Sequence, residues 1–482
     1  VSGINPPHHH HHVVAPGARN HILRPILREM TIPGREHPIR CVHHPLSAIV
    51  RPAFHHDASI HDRQQKNIYL DLITFSIIII AIMNASNKTQ ARGLLSKETA
   101  LQYIWFHDGA HRQQMVKKFG CRPNRVTDLI AELIRDRWID EGEPQRSGTG
   151  RSPVPLHISR KSKAALAASY THGLQLALIN VAGEILRESI SQEVPTDPRQ
   201  LTKAIARETR NLTAGFTGNI IGIGVADPGM IDTTRREVLK SSTFPSWQNV
   251  PLARLVQAST GLPVLLEDSS RLAAMAQYRA LPELAASGAS MLGLDFGMNL
   301  GFSLITPTGA FCGSGFAGGL SHVTMDPHGP PCECGRRGCL EAMAGGRPLI
   351  AQARALLKTR TGSIQRKGGA ITPDLVLEAA AGGDSVAQES VASILPHLRL
   401  AVSLAIAAYH PRLIVIGAGT DDAAAYLAKQ LKTTLSGHLL PEIARTIEIR
   451  AGGETRALVL RGAGLMVFND LVMNNGARLF RA

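Results

Sequence analysis

Between positions 322 and 341 the chain reads His322, nine further residues, then Cys332-Glu-Cys334-Gly-Arg-Arg-Gly-Cys339-Leu-Glu341. Three of its six cysteines stand within eight residues. Three thiolates and one imidazole form the closed, four-ligand set of a structural tetrahedral zinc site. Cys332 and Cys334 are too close in sequence to share a helix face, so a tight loop must present both. Gly335 and Gly338 supply the backbone angles that turn Cys339 back toward them. A disulfide or a chance cluster is the competing reading. The expectation is structural zinc on His322, Cys332, Cys334 and Cys339. So few cysteines, half of them in one cluster, also point to a reducing cytoplasm.

A chain of 482 residues exceeds one ordinary core, so two or three domains are expected. Aromatic residues make up only 4%, which leaves Leu, Ile, Val and Ala to build those cores. The formal net charge is +14, and about +6 of it falls in residues 91–165. Positive charge gathered in one short window suits a polyphosphate partner, against the blander reading of a soluble basic surface. Residues 1–90 hold 12 of the 21 histidines, including His8–His12, with scattered prolines and no sustained period. They read as a disordered or mis-assigned extension, with Met83 opening the first patterned stretch. Ile68–Met83 is apolar, but Asp71 interrupts it and it is short for a membrane span, so no membrane partner is expected.

From Lys97 a helical period begins, with Leu101, Ile104 and Trp105 on one face. Arg112–Phe119 reads as a second helix, Gly120-Cys-Arg122 as a turn, and Pro123 as an early residue of a third helix. That helix buries Val126, Leu129, Ile130, Leu133 and Ile134. Trp138-Ile139 enters a strand, Glu141–Pro153 forms a glycine-rich loop, and Val154–Ile158 returns. The pattern is a winged helix–turn–helix over residues 91–163, with a three-helix protein-interaction domain as the alternative. Such a third helix enters the DNA major groove by its N-terminal residues. Arg122, Asn124, Arg125 and Thr127 are therefore candidate contacts to an operator duplex. Arg146 and Arg151 of the wing are candidates for the backbone or the adjacent minor groove.

Gly315-Phe-Ala-Gly-Gly-Leu-Ser-His322 followed by Cys-x-Cys-Gly-x-x-Gly-Cys-Leu-Glu341 resembles the signature of the ROK family of sugar kinases and sugar-responsive repressors. Ile221–Asp232, Ser241-Ser242, Trp247–Leu252 and His410–Gly419 extend the resemblance over most of residues 164–482. The resemblance implies an α/β body of two actin-like lobes (ribonuclease H-like, the sugar-kinase fold) with the ligand in the cleft between them. It implies that the zinc shapes a sugar pocket touched by His322 and Glu341. By the same resemblance, Ser242 is expected on the pocket wall. Asp268 stands where the kinases keep their general base, and Glu267 where a sugar-binding Asn is usual. Gly319 stands where another sugar-contacting carboxylate is expected. The kinases' early Asp-x-Gly-Gly-Thr phosphate turn, counted back from Gly183, falls on Ala168–His172, where Tyr170 would intrude on the phosphates. The second phosphate loop is replaced by Asp295–Gly301.

Together these features predict a cytoplasmic, sugar-responsive DNA-binding regulator, a repressor without a usable ATP site. Its expected partners are a double-stranded operator, a small sugar or sugar-phosphate effector, and a second copy, as homodimer or dimer of dimers. A sugar kinase with a divergent nucleotide loop is the alternative, and a regulator answering to a protein partner is a third.

Overall fold

In the computed structural model of the chain, the described residues are 95–144, 152–171, 173–313, 317–366, 370–435 and 437–474. The extension 1–90 and the wing residues Arg146 and Arg151 lie outside them. Helix α1 (Lys97–Phe106) starts from a reciprocal cap: Thr99 N–H donates to Ser96 Oγ at 3.2 Å and Ser96 N–H to Thr99 Oγ1 at 2.9 Å. Helix α2 (Arg112–Phe119) ends on Gly120 at φ +61°, a left-handed C-cap. Helix α3 (Pro123–Arg135) carries Pro in its first turn and buries Val126, Leu129, Ile130 and Leu133, as their three-and-four spacing demands. Strands β1 (Ile139–Glu141) and β2 (Leu156–Ile158) pair antiparallel with Ile139 opposite Ile158, closing this small core.

The basic segment Ser159–Lys163 is a tight turn. Ser159 and Lys163 are buried, and the Lys163 ammonium sits 4.4 Å over the Trp138 ring. Lys163 also opens β3 (Lys163–Ser169), which is followed by β4 (Leu174–Asn180), β5 (Ile185–Ser191) and α4 (Pro198–Thr213). Next come β6 (Asn219–Asp227), a small sheet of β7 (Met230–Asp232), β8 (Glu237–Lys240) and β9 (Gln248–Val250), then α5 (Leu252–Thr260), β10 (Val264–Asp268) and α6 (Ser269–Arg279). The first lobe's sheet has the order β10-β6-β3-β4-β5. The second lobe holds β11 (Met291–Phe296), β12 (Leu300–Thr306) and β13 (Gly309–Ala310), then α7 (Leu340–Ala344), α8 (Gly346–Leu356), α9 (Pro373–Ala381) and α10 (Ser385–Tyr409). It finishes with β14 (Leu413–Ala418), α11 (Asp421–Leu435), β15 (Glu448–Glu454) and α12 (Thr455–Asn474).

The second sheet runs β13-β12-β11-β14-β15, so both lobes use one plan: an antiparallel three-strand meander whose first strand pairs in parallel with the fourth, and the fourth with the fifth. Strands β3 and β4 are buried along their whole length because helices cover both faces of their sheet. One cover is α4 with α5; the other is α12, which arrives from the end of the second lobe. In exchange α6, which leaves the first lobe's last strand, packs on β11 and β12. This is the two-lobed, mixed α/β, actin-like sugar-kinase fold.

Strands β4 and β5 are joined by a turn with Gly183 at φ +84°. Helix α10 starts after the Asp384 cap, whose carboxylate accepts from Ala387 N–H at 2.9 Å. It runs through Pro396, because burial of Val391, Ile394, Leu398, Val402 and Ile406 outweighs one missing helical hydrogen bond. Among the described residues α10 is also the one helix long and apolar enough to cross a membrane by length and composition.

Candidate functional site

Backbone pairing gives the cysteine loop its shape, and Lys240 Nζ, donating to Glu333 O at 2.8 Å, adds a side-chain tie. Gly338 O accepts from Met325 N–H at 2.7 Å, Gly338 N–H donates to Pro330 O at 2.7 Å, and Cys332 N–H to Arg336 O at 2.8 Å. Gly335 and Gly338 have φ of +92° and +60°. A Cβ on Gly338 would fall 1.5 Å from Asp326 O, so no other residue fits there. The result gathers one ligand atom from each of His322, Cys332, Cys334 and Cys339 within 4.8 Å of one another. Cys332 Sγ lies 3.7 Å from His322 Nδ1, and Cys334 Sγ 3.6 Å from Cys339 Sγ. Zinc–sulfur bonds of ~2.3 Å at tetrahedral angles place sulfurs ~3.8 Å apart, so the donor set and its spacing fit zinc.

The thiols are unequal. Burial pushes Cys339 up to about 12, helped by its hydrogen bonds with Cys334 and Cys332. Burial alone would also raise Cys334, but hydrogen bonds from the Arg336 backbone and guanidinium hold it at about 7. A knuckle of this kind anchors the helix next to it. Cys339 caps α7, and Glu341 in the first turn of α7 is buried, accepting from Leu300 N–H at 3.1 Å. A cavity of about 420 Å³ lies beside the loop, lined by Pro331, Cys332, Glu333, Glu341 and Arg347 among others.

Of the expected sugar contacts, His322 and Glu341 belong to the second lobe, while Ser242, Glu267 and Asp268 belong to the first. Glu267 and Asp268 end β10, at the edge where parallel strands of an α/β sheet commonly present ligands. Asp268 caps α6 by accepting from Arg271 N–H at 3.0 Å. Burial raises its carboxyl to about 6, against the opposing effect of Arg271. Glu267 is 2% exposed and lies 2.9 Å from Arg271 Nε, while Cys312 Sγ approaches its other oxygen at 3.7 Å. Arg271 also donates to Ala317 O at 3.1 Å, tying the strand end to the loop ahead of His322. Sequence reasoning misses Arg271, although its place four residues after Glu267 on a helix start is a readable signal. Ser242 is exposed on the turn between β8 and β9.

Strand β3 runs to Ser169, so the turn begins two residues later than the count back from Gly183 sets it. Ala168 and Ser169 stay in the strand, paired with Leu176 and Gln175. The count errs because it assumes a fixed hairpin length, whereas the β3–β4 register decides where the strand ends. One glycine survives in this turn, Gly173 at φ +96°, where a Cβ would meet Ser191 O at 2.7 Å. Tyr170 does not reach into the cleft. It is fully buried, 5.8 Å from both the Phe244 and Trp247 rings, and its hydroxyl donates to Asp227 Oδ2. The other Asp227 oxygen accepts from Gly229 N–H at 2.5 Å. Burial lifts Asp227 to about 6.

In the N-terminal unit, Arg122, Asn124, Arg125, Thr127 and Asp128 are all exposed on the first turns of α3. Arg125 donates to Leu95 O at 3.4 Å and Thr127 Oγ1 to Pro123 O at 3.1 Å, which leaves Arg122 and Asn124 as the more outward pair.

Duplicated five-stranded sheets, carboxylates at a cleft-edge strand end and a Cys3His knuckle define a protein of the actin-like sugar-kinase class. Residues 171–469 match the model of the ROK family, and the chain belongs to that family. It is 26% identical over 336 residues to the xylose repressor of Caldicellulosiruptor bescii, covering 67% of this chain and 82% of that one. It is 28% identical over 291 residues to a glucokinase of Halalkalibacterium halodurans, covering 58% and 86%. A solved ROK family transcriptional regulator, described as a homolog of the Escherichia coli MLC protein, superimposes with TM-score 0.65 at 21% identity, over 79% of this chain and 98% of that chain.

Proposed function

We propose that the chain is a zinc-containing, sugar-responsive transcriptional repressor that binds its operator through residues 91–163 and its effector through residues 164–482. The observation that carries this reading is the row of polar side chains on the first turns of α3, in a three-helix and hairpin unit fused to a ROK body. The unit is read as a winged helix–turn–helix, with Arg122, Asn124, Arg125 and Thr127 at the major groove and Arg146 and Arg151 on the wing. Similarity to a xylose repressor supports the same assignment. The effector is a small sugar or sugar phosphate held between Ser242, Glu267 and Asp268 on one lobe and His322 and Glu341 on the other. Residues 1–90 have no role in this scheme. A homodimer, or a dimer of dimers, in the cytoplasm would present two heads to two half-sites.

Repression is relieved if the sugar binds the DNA-incompetent arrangement of lobes more tightly than the competent one; affinity alone does nothing. Zinc keeps His322 and α7 in place beside the pocket and takes no part in chemistry. Similarity to a glucokinase favours a second reading, a sugar kinase, in which Asp268 would take the proton from a sugar hydroxyl.

Fluorescence anisotropy on DNA from upstream of the chain's own gene, at two salt concentrations and with D-xylose or D-glucose, tests the first reading. Salt-sensitive binding that one sugar weakens is expected. Arg122→Ala should weaken it about tenfold, in line with ~1–3 kcal/mol for one base contact. Absence of any preference over random DNA, together with sugar-dependent ADP release from ATP, would replace the repressor by the kinase.

A further inference from the structure

Asp295, near the end of β11, accepts from Ser270 Oγ at 3.2 Å through Oδ2 and from Thr455 Oγ1 at 3.0 Å through Oδ1. Ser270 is the second residue of α6 and Thr455 the first of α12. One carboxylate therefore joins the starts of both lobe-exchanging helices, two residues from the Asp268 cap. At their far ends the same two helices meet one element. Arg279, the last residue of α6, donates to Trp105 O at 3.1 Å, with its guanidinium 3.9 Å from the Trp105 ring and 4.5 Å from the Phe106 ring. Val472 O, close to the end of α12, accepts from Gln102 Nε2 at 2.9 Å. Gln102, Trp105 and Phe106 all lie on α1. Trp105 Nε1 further donates to Val181 O, in the β4–β5 turn, at 3.2 Å.

Between these two ends the contacts are backbone-close. A Cβ on Gly462 of α12 would stand 1.9 Å from Leu272 O of α6, and one on Gly224 of β6 would stand 2.0 Å from Ala463 O of α12. A Cβ on Gly293 of β11 would stand 2.7 Å from Ala274 Cβ of α6. At Gly462 backbone meets backbone with no side chain between the rods, which at 1.5 Å per residue run about 16 Å and about 30 Å. A displacement at their starts is therefore passed on instead of being absorbed by repacking.

We propose that the α6–α12 pair is the transmission element linking the cleft to the N-terminal head, with Asp295 and Arg279 as its positioning residues at the two ends. This names the route of regulation in the repressor reading and rests on that reading only for what the head does with the signal. Arg279 holds α1 through a cation–π stack plus a carbonyl bond, so a shift of α6 along its axis must carry α1 with it. Coupling of this kind is reciprocal: disturbing either end must be felt at the other.

Amide hydrogen exchange on the zinc-loaded full chain tests this without needing to know the effector. Asp295→Asn should speed exchange in residues 97–106 by about tenfold or more, while α4 (Pro198–Thr213) and residues 391–406 of α10 stay within about twofold of wild type. Arg279→Ala should in turn speed exchange at residues 269–273. Wild-type exchange in 97–106 with Asp295→Asn would overturn the proposal. A uniform rise across the reference helices would also overturn it, because that is the signature of a merely structural residue. Should Asp295→Asn fail to fold, Arg279→Ala carries the test alone, and unchanged protection at 269–273 overturns the route. Failure of the wild-type chain to bind DNA removes the repressor reading but leaves this exchange readout intact.

Discussion

Asp227 is a carboxylate placed where water cannot reach it, with Tyr170 and the Gly229 amide as its hydrogen-bond donors. Burial raises its carboxyl to about 6, above the value near 4 of an unfolded chain. Between those pH values the folded state holds the extra proton. Stability from this group is thus fully present at low pH and is lost as pH rises toward and through 6. Asp268 is raised in the same direction, so it adds a slope of the same sign. Replacing Asp227 by Asn removes one of the two contributions. Urea unfolding should show the Asn variant gaining on wild type by roughly 2 kcal/mol between pH 4.5 and pH 7. An equal difference between the two proteins at both pH values would mean that Asp227 is not the titrating group. Nothing local hints at this pair, because its partners stand 57 positions apart and no pattern marks an aromatic as the mate of an acid.

Among elements, the knuckle is the most legible in sequence, because all the information it needs is local. Ligand spacing and two glycines dictate a loop that gathers His322, Cys332, Cys334 and Cys339, and their ligand atoms do converge. Stripping the metal with a chelator, or replacing Cys334 by Ser, should lower the melting temperature by several degrees and raise proteolysis of residues 322–344. A Cys334→Ser protein that keeps full zinc and normal melting would show that the cluster is not a structural metal site. The three N-terminal helices are likewise readable from their period, with Arg112–Phe119 matching residue for residue. The hairpin made by β3 and β4 is readable as a strand pair but not in its turn position. Period-two patterns identify strands; the register that sets where they end comes from neighbours across the sheet. Glu341 shows the same limit, since its Leu300 amide partner lies on a strand 41 positions away.

For the whole molecule, the family and its two-lobed fold are legible because motifs lie along most of residues 164–482. The helix exchange is not, since it is a property of how two similar halves close on each other. Helix α12 supplies one entire cover of the first lobe's sheet, burying Ala165, Ala167, Ala177 and Ile179 against residues such as Leu460, Ala463 and Val467. These strands leave the ribosome almost three hundred residues before their cover does. Until residues 455–474 emerge, the first sheet stands with an apolar face open to solvent and α1 lacks half of its seat. Neither lobe can therefore be completed as an independent folding unit during synthesis. A nascent chain of this design keeps that apolar face uncovered late into translation, and a product cut short before residue 455 would never cover it.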